Sequence, residues 1–203
     1  MDKKATSILI VEDVKTVREM LEITLKFKGY DVHVACDGAD ALMKLGQIKP
    51  AIIITDILMP NMDGFALVHQ IRRLPRLRDV PVVFLSATYT NLEDFDFAEK
   101  IGADRYLKKP YDVDDLLLCV DEILNRDRSQ AEPMQDSEFK TRHIERLQQK
   151  VAHKAELISR MRRLLNTLSP EQQIQFGAIL NQEIEERDAV NAELAAAQQA
   201  LQG

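Results

Sequence analysis

Residues 52–64 read Ile52-Ile53-Ile54-Thr55-Asp56-Ile57-Leu58-Met59-Pro60-Asn61-Met62-Asp63-Gly64. The opening residues are apolar and β-branched without alternation, the pattern of a strand covered on both faces. The run stops at a carboxylate, Asp56. Pro60 and then Asp63-Gly64 mark a loop into a helix. Asp is common in turns, so Asp56 taken alone reads equally as a plain loop residue. An acid at the carboxyl end of a central parallel strand, however, lies where open α/β sheets take their ligands. The flanking residues decide between the two.

Upstream, Ala39 to Ile48 has helical spacing and stops before Pro50. Asp37-Gly38 is a turn, and Asp31 to Ala35 alternates as a strand near a sheet edge does. Val14 to Phe27 places Val17, Met20, Leu21 and Leu25 at helical spacing, with Gly29 as its stop. Ser7 to Val11 is a fully apolar strand that ends in Glu12-Asp13. Downstream, a helix over Phe65 to Leu74 breaks at Pro75, and the strand Val82 to Leu85 ends in Ser86-Ala87-Thr88. A helix over Leu92 to Ile101 stops at Gly102, the strand Arg105 to Leu107 runs into Lys108-Lys109-Pro110, and Val113 to Leu124 is a strongly apolar helix. Five strands alternating with five helices predict an α/β fold, a doubly wound parallel sheet with helices on both faces.

In a parallel sheet the carboxyl ends share one edge. Glu12, Asp13, Asp56 and Ser86 are therefore expected to converge there, with Lys109 just past the fifth strand. Crowded carboxylates repel one another and suit a hard cation; Mg²⁺ takes oxygen ligands and keeps several waters. An ammonium and a hydroxyl beside an acid and Mg²⁺ form a phosphoryl-handling set, because that chemistry needs charge neutralisation and positioning. An Asp carboxylate can itself be the nucleophile and become an aspartyl phosphate.

The blocks ILIVED, TDILMPNMDG, LSAT and GADRYLKKP, in this order, resemble the receiver domain of bacterial two-component response regulators over residues 1–127. The resemblance implies a flavodoxin-like receiver with Asp56 as phosphoacceptor. It implies that Asp13, Asp56 and the Leu58 backbone carbonyl bind Mg²⁺ directly, and that Glu12 acts through a water. Lys109 is implied to contact the phosphoryl group and Ser86 to hydrogen-bond it. Tyr106 stands at the family's aromatic switch, and the Lys109–Pro110 bond is expected cis. Lys108 is read as the solvated lysine. The family points to a sensor histidine kinase or phosphotransfer protein as donor, and to no catalysis beyond Mg-dependent self-phosphorylation and dephosphorylation. Leu58 and Thr88 stand where polar groups place the attacking water in fast-hydrolysing relatives. Leu58 has none to offer, so a long-lived aspartyl phosphate is expected.

The chain has 203 residues and a net charge of −6, which argues mildly against a dedicated nucleic-acid binder. Cys36 and Cys119 have no metal-ligand spacing and are expected to be buried small hydrophobes. Too few apolar residues follow Met1-Asp2-Lys3-Lys4 for a signal peptide, and no run approaches a membrane span; a cytoplasmic location is expected.

Residues 128–136 read as a linker and 137–203 as a helical extension. Ile144, Leu147, Val151, Lys154, Ile158, Met161, Leu165 and Leu168 fall on alternating steps of three and four, a heptad seam with Lys154 as its polar intruder. Ser169-Pro170-Glu171 reads as an N-cap and restart, and Ile174 to Leu201 as a second helix whose Ala-rich end is expected to fray. Residues 138–165 carry about +5 and 170–203 about −5, which favours an antiparallel hairpin. Its thin core predicts pairing of two copies, a homodimer through a four-helix bundle or coiled coil. His143 and His153 fall off the seam and are expected to be exposed; a phosphotransfer role for either is the sharper reading, a surface histidine the plainer one. The output is read as protein interaction, the alternative being a DNA-binding transcriptional regulator with an unrecognised C-terminal module.

Overall fold

The structure is a computed structural model that describes residues 6–86, 92–125, 134–166 and 169–202. It divides into two compact units, residues 1–135 and 136–203, each taken by itself below.

In the first unit, strands β1 (Ser7–Val11), β2 (Asp31–Ala35), β3 (Ile52–Asp56), β4 (Val82–Ser86) and β5 (Arg105–Lys108) form one parallel sheet in the order β2-β1-β3-β4-β5. Helices α1 (Lys15–Phe27), α2 (Gly38–Leu45), α3 (Gly64–Arg73), α4 (Leu92–Lys100) and α5 (Val113–Leu124) alternate with them. The alternating β2 is an edge strand, as its pattern predicts, while β3 and β4 are buried along almost their whole length. The register pairs Ile10 with Ile54, Thr55 with Phe84 and Phe84 with Tyr106, so the strand ends line up across the sheet. Ile8, Ile10, Leu21, Leu25, Leu116 and Val120 pack one side of the core. The β2-to-α2 and β3-to-α3 turns are both capped by carboxylates. Asp37 Oδ1 accepts from the Asp40 amide at 2.8 Å, and Asp63 Oδ1 from the Ala66 amide at 2.7 Å. Gly64 is required sterically: a Cβ there would lie inside contact distance of the Asp56 carbonyl oxygen.

Cys119 is buried as expected, but Cys36 is exposed. It lies just past the end of β2, where the chain has left the sheet and turned; its amide donates to Asp40 Oδ2 at 3.0 Å.

The second unit is two long helices, α6 (Asp136–Leu165) and α7 (Pro170–Gln202). Ser169 opens α7 through a capping box with Gln172, whose Oε1 accepts from the Ser169 amide at 3.1 Å. Helix α7 continues through Ala195–Ala197 to Gln202. The helices run antiparallel, because Lys154 meets Glu183 and Glu186 while Gln173 reaches back to Leu165. Ile144, Leu147 and Ile158 of the seam are buried, as are Leu180 and Val190 of α7. Leu168 lies outside the described residues.

Lys154 is not a defect in that seam. It is buried, and its Nζ lies 2.9 Å from Glu183 Oε2 and 2.6 Å from Glu186 Oε2. Burial disfavours the ammonium, yet the two carboxylates outweigh it and hold the pKa above the ordinary lysine value. A buried polar pair of this kind fixes register. His153 is exposed as expected, but His143 is 5% exposed. Phe139, one turn back, stacks on its ring at 5.1 Å, and Glu193 of α7 lies 3.9 Å from Nε2. The packed face therefore reaches beyond the two heptad positions of the seam, and His143 lacks the exposure that a phosphotransfer histidine needs.

Among the described residues, no helix is long and apolar enough to cross a membrane.

Candidate functional site

β1 and β3 are neighbours although three elements of chain, α1, β2 and α2, separate them, so the order reverses between them and opens a crevice at their carboxyl ends. Glu12 and Asp13 follow β1 directly, and Asp56 is the last residue of β3. Carboxylate oxygens of all three lie within 4.8 Å of one another. Glu12 is buried, Asp13 is exposed and Asp56 lies between these extremes. Lys109 reaches in from beyond β5, its Nζ 2.7 Å from Glu12 Oε2 and 2.7 Å from Asp56 Oδ2. The Lys109–Pro110 peptide is cis. Lys108, the next residue back, is exposed.

The second oxygen of Asp56 is held by the backbone. Oδ1 accepts from the Ile57 amide at 2.5 Å and from the Leu58 amide at 3.3 Å. These donors fix the rotamer and leave Oδ2 on the lysine side. Ser86 ends β4 and is buried, and its carbonyl accepts from the Lys109 amide at 2.8 Å, which ties the β4 end to the lysine loop. Tyr106 is half-buried in β5. Its ring lies 6.5 Å from Phe84 edge-on and 4.5 Å from Phe95 of α4, so it bridges the sheet and that helix. Thr88 lies outside the described residues.

The electrostatics follow from this crowding. Burial, first, and the negative charge of Asp56 raise the Glu12 pKa against the pull of Lys109. The same two causes raise that of Asp13. Burial works against the Lys109 ammonium, but Asp56 and Glu12 together raise its pKa above the ordinary value. One ammonium thus serves three acids, an excess of hard oxygen donors that fits a divalent cation.

Sequence reading missed three supports of this site. Arg18 Nη1 donates to the Glu12 and Asp13 carbonyls at 2.6 and 3.1 Å and so pins the acidic pair. Asn61, at φ 63°, donates from Nδ2 to Asp37 Oδ2 at 2.7 Å, which ties the loop after Asp56 to the β2–α2 turn. Tyr111 is partly buried nearby, and burial first raises its phenol pKa, with Lys109 opposing and Glu12 and Asp56 adding. Arg18 stands in the first turn of α1, five and six residues beyond the acids, and that proximity was the available signal; the Asn61–Asp37 pair has none.

Comparison with known proteins agrees with this arrangement. Residues 8–121 match the family model of the response regulator receiver domain. The DNA-binding dual master transcriptional regulator RpaA of Synechocystis sp. is 36% identical over 122 residues, covering 59% of this chain and 49% of the relative. The chain thus spans about half the length of that relative. The chemotaxis response regulator CheY4 of Vibrio cholerae superposes with a TM-score of 0.55 at 32% identity, over 58% of this chain and 98% of that one. The receiver domain of the sensor histidine kinase PA1611 of Pseudomonas aeruginosa, solved with a magnesium ion in its active-site cleft, superposes with a TM-score of 0.55 at 26% identity, covering 60% and 98%. A doubly wound sheet, an acidic crevice at its switch point and a family model matched across both place this chain in the response regulator receiver domain family.

Proposed function

We propose that this chain is a two-component response regulator that accepts a phosphoryl group on Asp56 from a histidine kinase or phosphotransfer protein. The observation that carries the reading is the Lys109 bridge: one ammonium 2.7 Å from both Glu12 and Asp56, among three clustered carboxylates. Asp56 Oδ2 is the nucleophile. It forms the new O–P bond while the donor's bond to phosphorus breaks and the donor keeps the electron pair. Lys109, with one bond already on Asp56, turns to the arriving phosphoryl oxygens, and Ser86 at the β4 end offers a hydroxyl. Asp13 and Asp56, with the Leu58 carbonyl, are the residues that would hold Mg²⁺, with Glu12 behind a water. Such an ion supplies neutralisation of the phosphoryl charge. The chain has no further catalytic role in this reading. Incubation with acetyl phosphate and Mg²⁺, followed by peptide mapping, tests it: a phosphoryl group on the Asp56 peptide is expected, and a label elsewhere sinks it.

Leu58 brings no polar group to the site, so the aspartyl phosphate is expected to survive for minutes or longer in purified protein with Mg²⁺. Loss of the label within seconds would contradict this.

The signal leaves through protein contacts. Tyr106 already touches Phe95 of α4, so a shift at Ser86 is transmitted to that helix and to the surface it presents. Helix α1, which starts at the acidic edge, exposes Met20, Ile23 and Phe27, an apolar stripe suited to a protein partner. The tail is a homodimerising coiled coil in this reading. Light scattering on the full chain at tens of micromolar is expected to give twice the chain mass. Comparison with and without beryllofluoride, a mimic of the acyl phosphate, shows whether activation drives the pairing. The second reading, a DNA-binding regulator, is favoured by the name of the Synechocystis relative. Duplex binding that falls steeply with salt would support it.

A further inference from the structure

One flank of the tail hairpin changes character along its length. Near the open end, His143 on α6 lies 3.9 Å from Glu193 on α7. One heptad further, Lys150 acts electrostatically on Glu186. Both partners step by seven, in opposite senses, so these pairs define one flank and one antiparallel register. Two further steps toward the loop place Leu157 opposite Ile179, and Leu164 opposite Gln172. Inward neighbours Ile158 and Leu180 are buried, yet Leu157 is 36%, Leu164 49% and Ile179 53% exposed. The flank therefore runs from polar pairs to an apolar strip that stays between a third and just over half exposed.

The charges beside the strip say what covers it. Lys150 and Arg160, the latter paired with Glu156, flank Leu157 on α6. Glu171 and Glu186 flank Ile179 on α7. A uniformly basic or acidic partner would match one helix and be repelled by the other. The surface that matches both is the same surface turned by a two-fold axis, with α6 on the partner's α7 and apolar strip on apolar strip.

We propose that two copies of this chain pair through the loop half of this flank and bury Leu157, Leu164 and Ile179 in a four-helix arrangement. The inference rests on the homodimer reading above and names its surface.

The experiment is light-scattering mass against concentration on the full chain, for wild type, Leu157→Glu with Leu164→Glu, the same pair changed to Gln, and Ile174→Glu. Ile174 is 78% exposed on α7 but stands about 140° round the helix from Ile179. Wild type and Ile174→Glu are expected to be dimers. The Glu pair is expected to dissociate at least about 100-fold more readily, and the Gln pair about 10-fold, with wild-type helicity by circular dichroism in both. A monomeric wild type removes the homodimer reading itself. A dimeric wild type whose Glu pair dissociates no more readily leaves that reading standing and overturns this surface. Loss of helicity in both the Glu and Gln pairs also overturns it, since these side chains would then belong to the hairpin's own core.

Discussion

An Asp56→Asn protein will take up no phosphoryl group from acetyl phosphate or from a phosphorylated donor. The substitution is nearly isosteric, and the amide oxygen can still accept from the Ile57 and Leu58 amides that hold Oδ1 at 2.5 and 3.3 Å. What disappears is the nucleophile, because a carboxamide has no anionic oxygen to attack phosphorus. Lys109 keeps its 2.7 Å contact to Glu12, so the crevice retains its shape. Labelling should fall to background while far-ultraviolet circular dichroism and melting temperature stay close to wild type. Undiminished label in the variant would show that another side chain is the acceptor and overturn the assignment.

Replacing Arg72 by alanine will destabilise the first unit by about 3 kcal/mol, which for a domain of this size lowers the melting temperature by roughly 10 °C. Arg72 lies in the last turn of α3 and is 2% exposed. Its guanidinium donates to the Gly102 carbonyl from Nε at 3.0 Å and from Nη2 at 2.6 Å, and to the Val80 carbonyl from Nη1 at 2.8 Å. Nη2 also lies 3.3 Å from Asp104 Oδ2, an oxygen that in turn accepts from the Val82 amide. One side chain thus joins α3, the start of β4 and the turn between α4 and β5. Truncation leaves these carbonyls without their donor, and burying an unmade hydrogen bond costs more than a made one contributes. Lysine keeps the charge but not the planar fork, so Arg72→Lys should recover less than half of the loss. Thermal unfolding measures both. Below the transition each variant should still accept a phosphoryl group on Asp56, because the contacts of Arg72 to Gly102, Val80 and Asp104 lie before β4 and β5, at the opposite sheet edge from Asp56. Melting temperatures within 2–3 °C of wild type would contradict the argument.

The paired substitutions Leu157→Glu and Leu164→Glu act in the other unit and on a different observable. They change mass rather than the phosphorylation of Asp56, so the phosphoacceptor and dimer readings are tested separately.

The order of strands and helices, the edge position of β2, and the convergence of Glu12, Asp13, Asp56, Ser86 and Lys109 were legible in the chain itself. The physical reason is that burial on two faces, burial on one face, and the breaks at Gly and Pro are local properties that leave their period in the sequence. Once the strands are parallel, their carboxyl ends must share an edge, so the acids' convergence follows from topology rather than from any single contact. The heptad seam of α6 was legible for the same reason. Only the tertiary structure decided which distant groups meet. Arg72 reaches Gly102, Asn61 reaches Asp37, and Lys154 lies buried between Glu183 and Glu186. His143, off the seam by period, is nevertheless buried beside Phe139 and Glu193, and Cys36 is exposed because the turn carries it away from the sheet. Each of these depends on the register between elements far apart in the chain, which is set by the packing of whole faces and leaves no periodic trace at the residues it brings together.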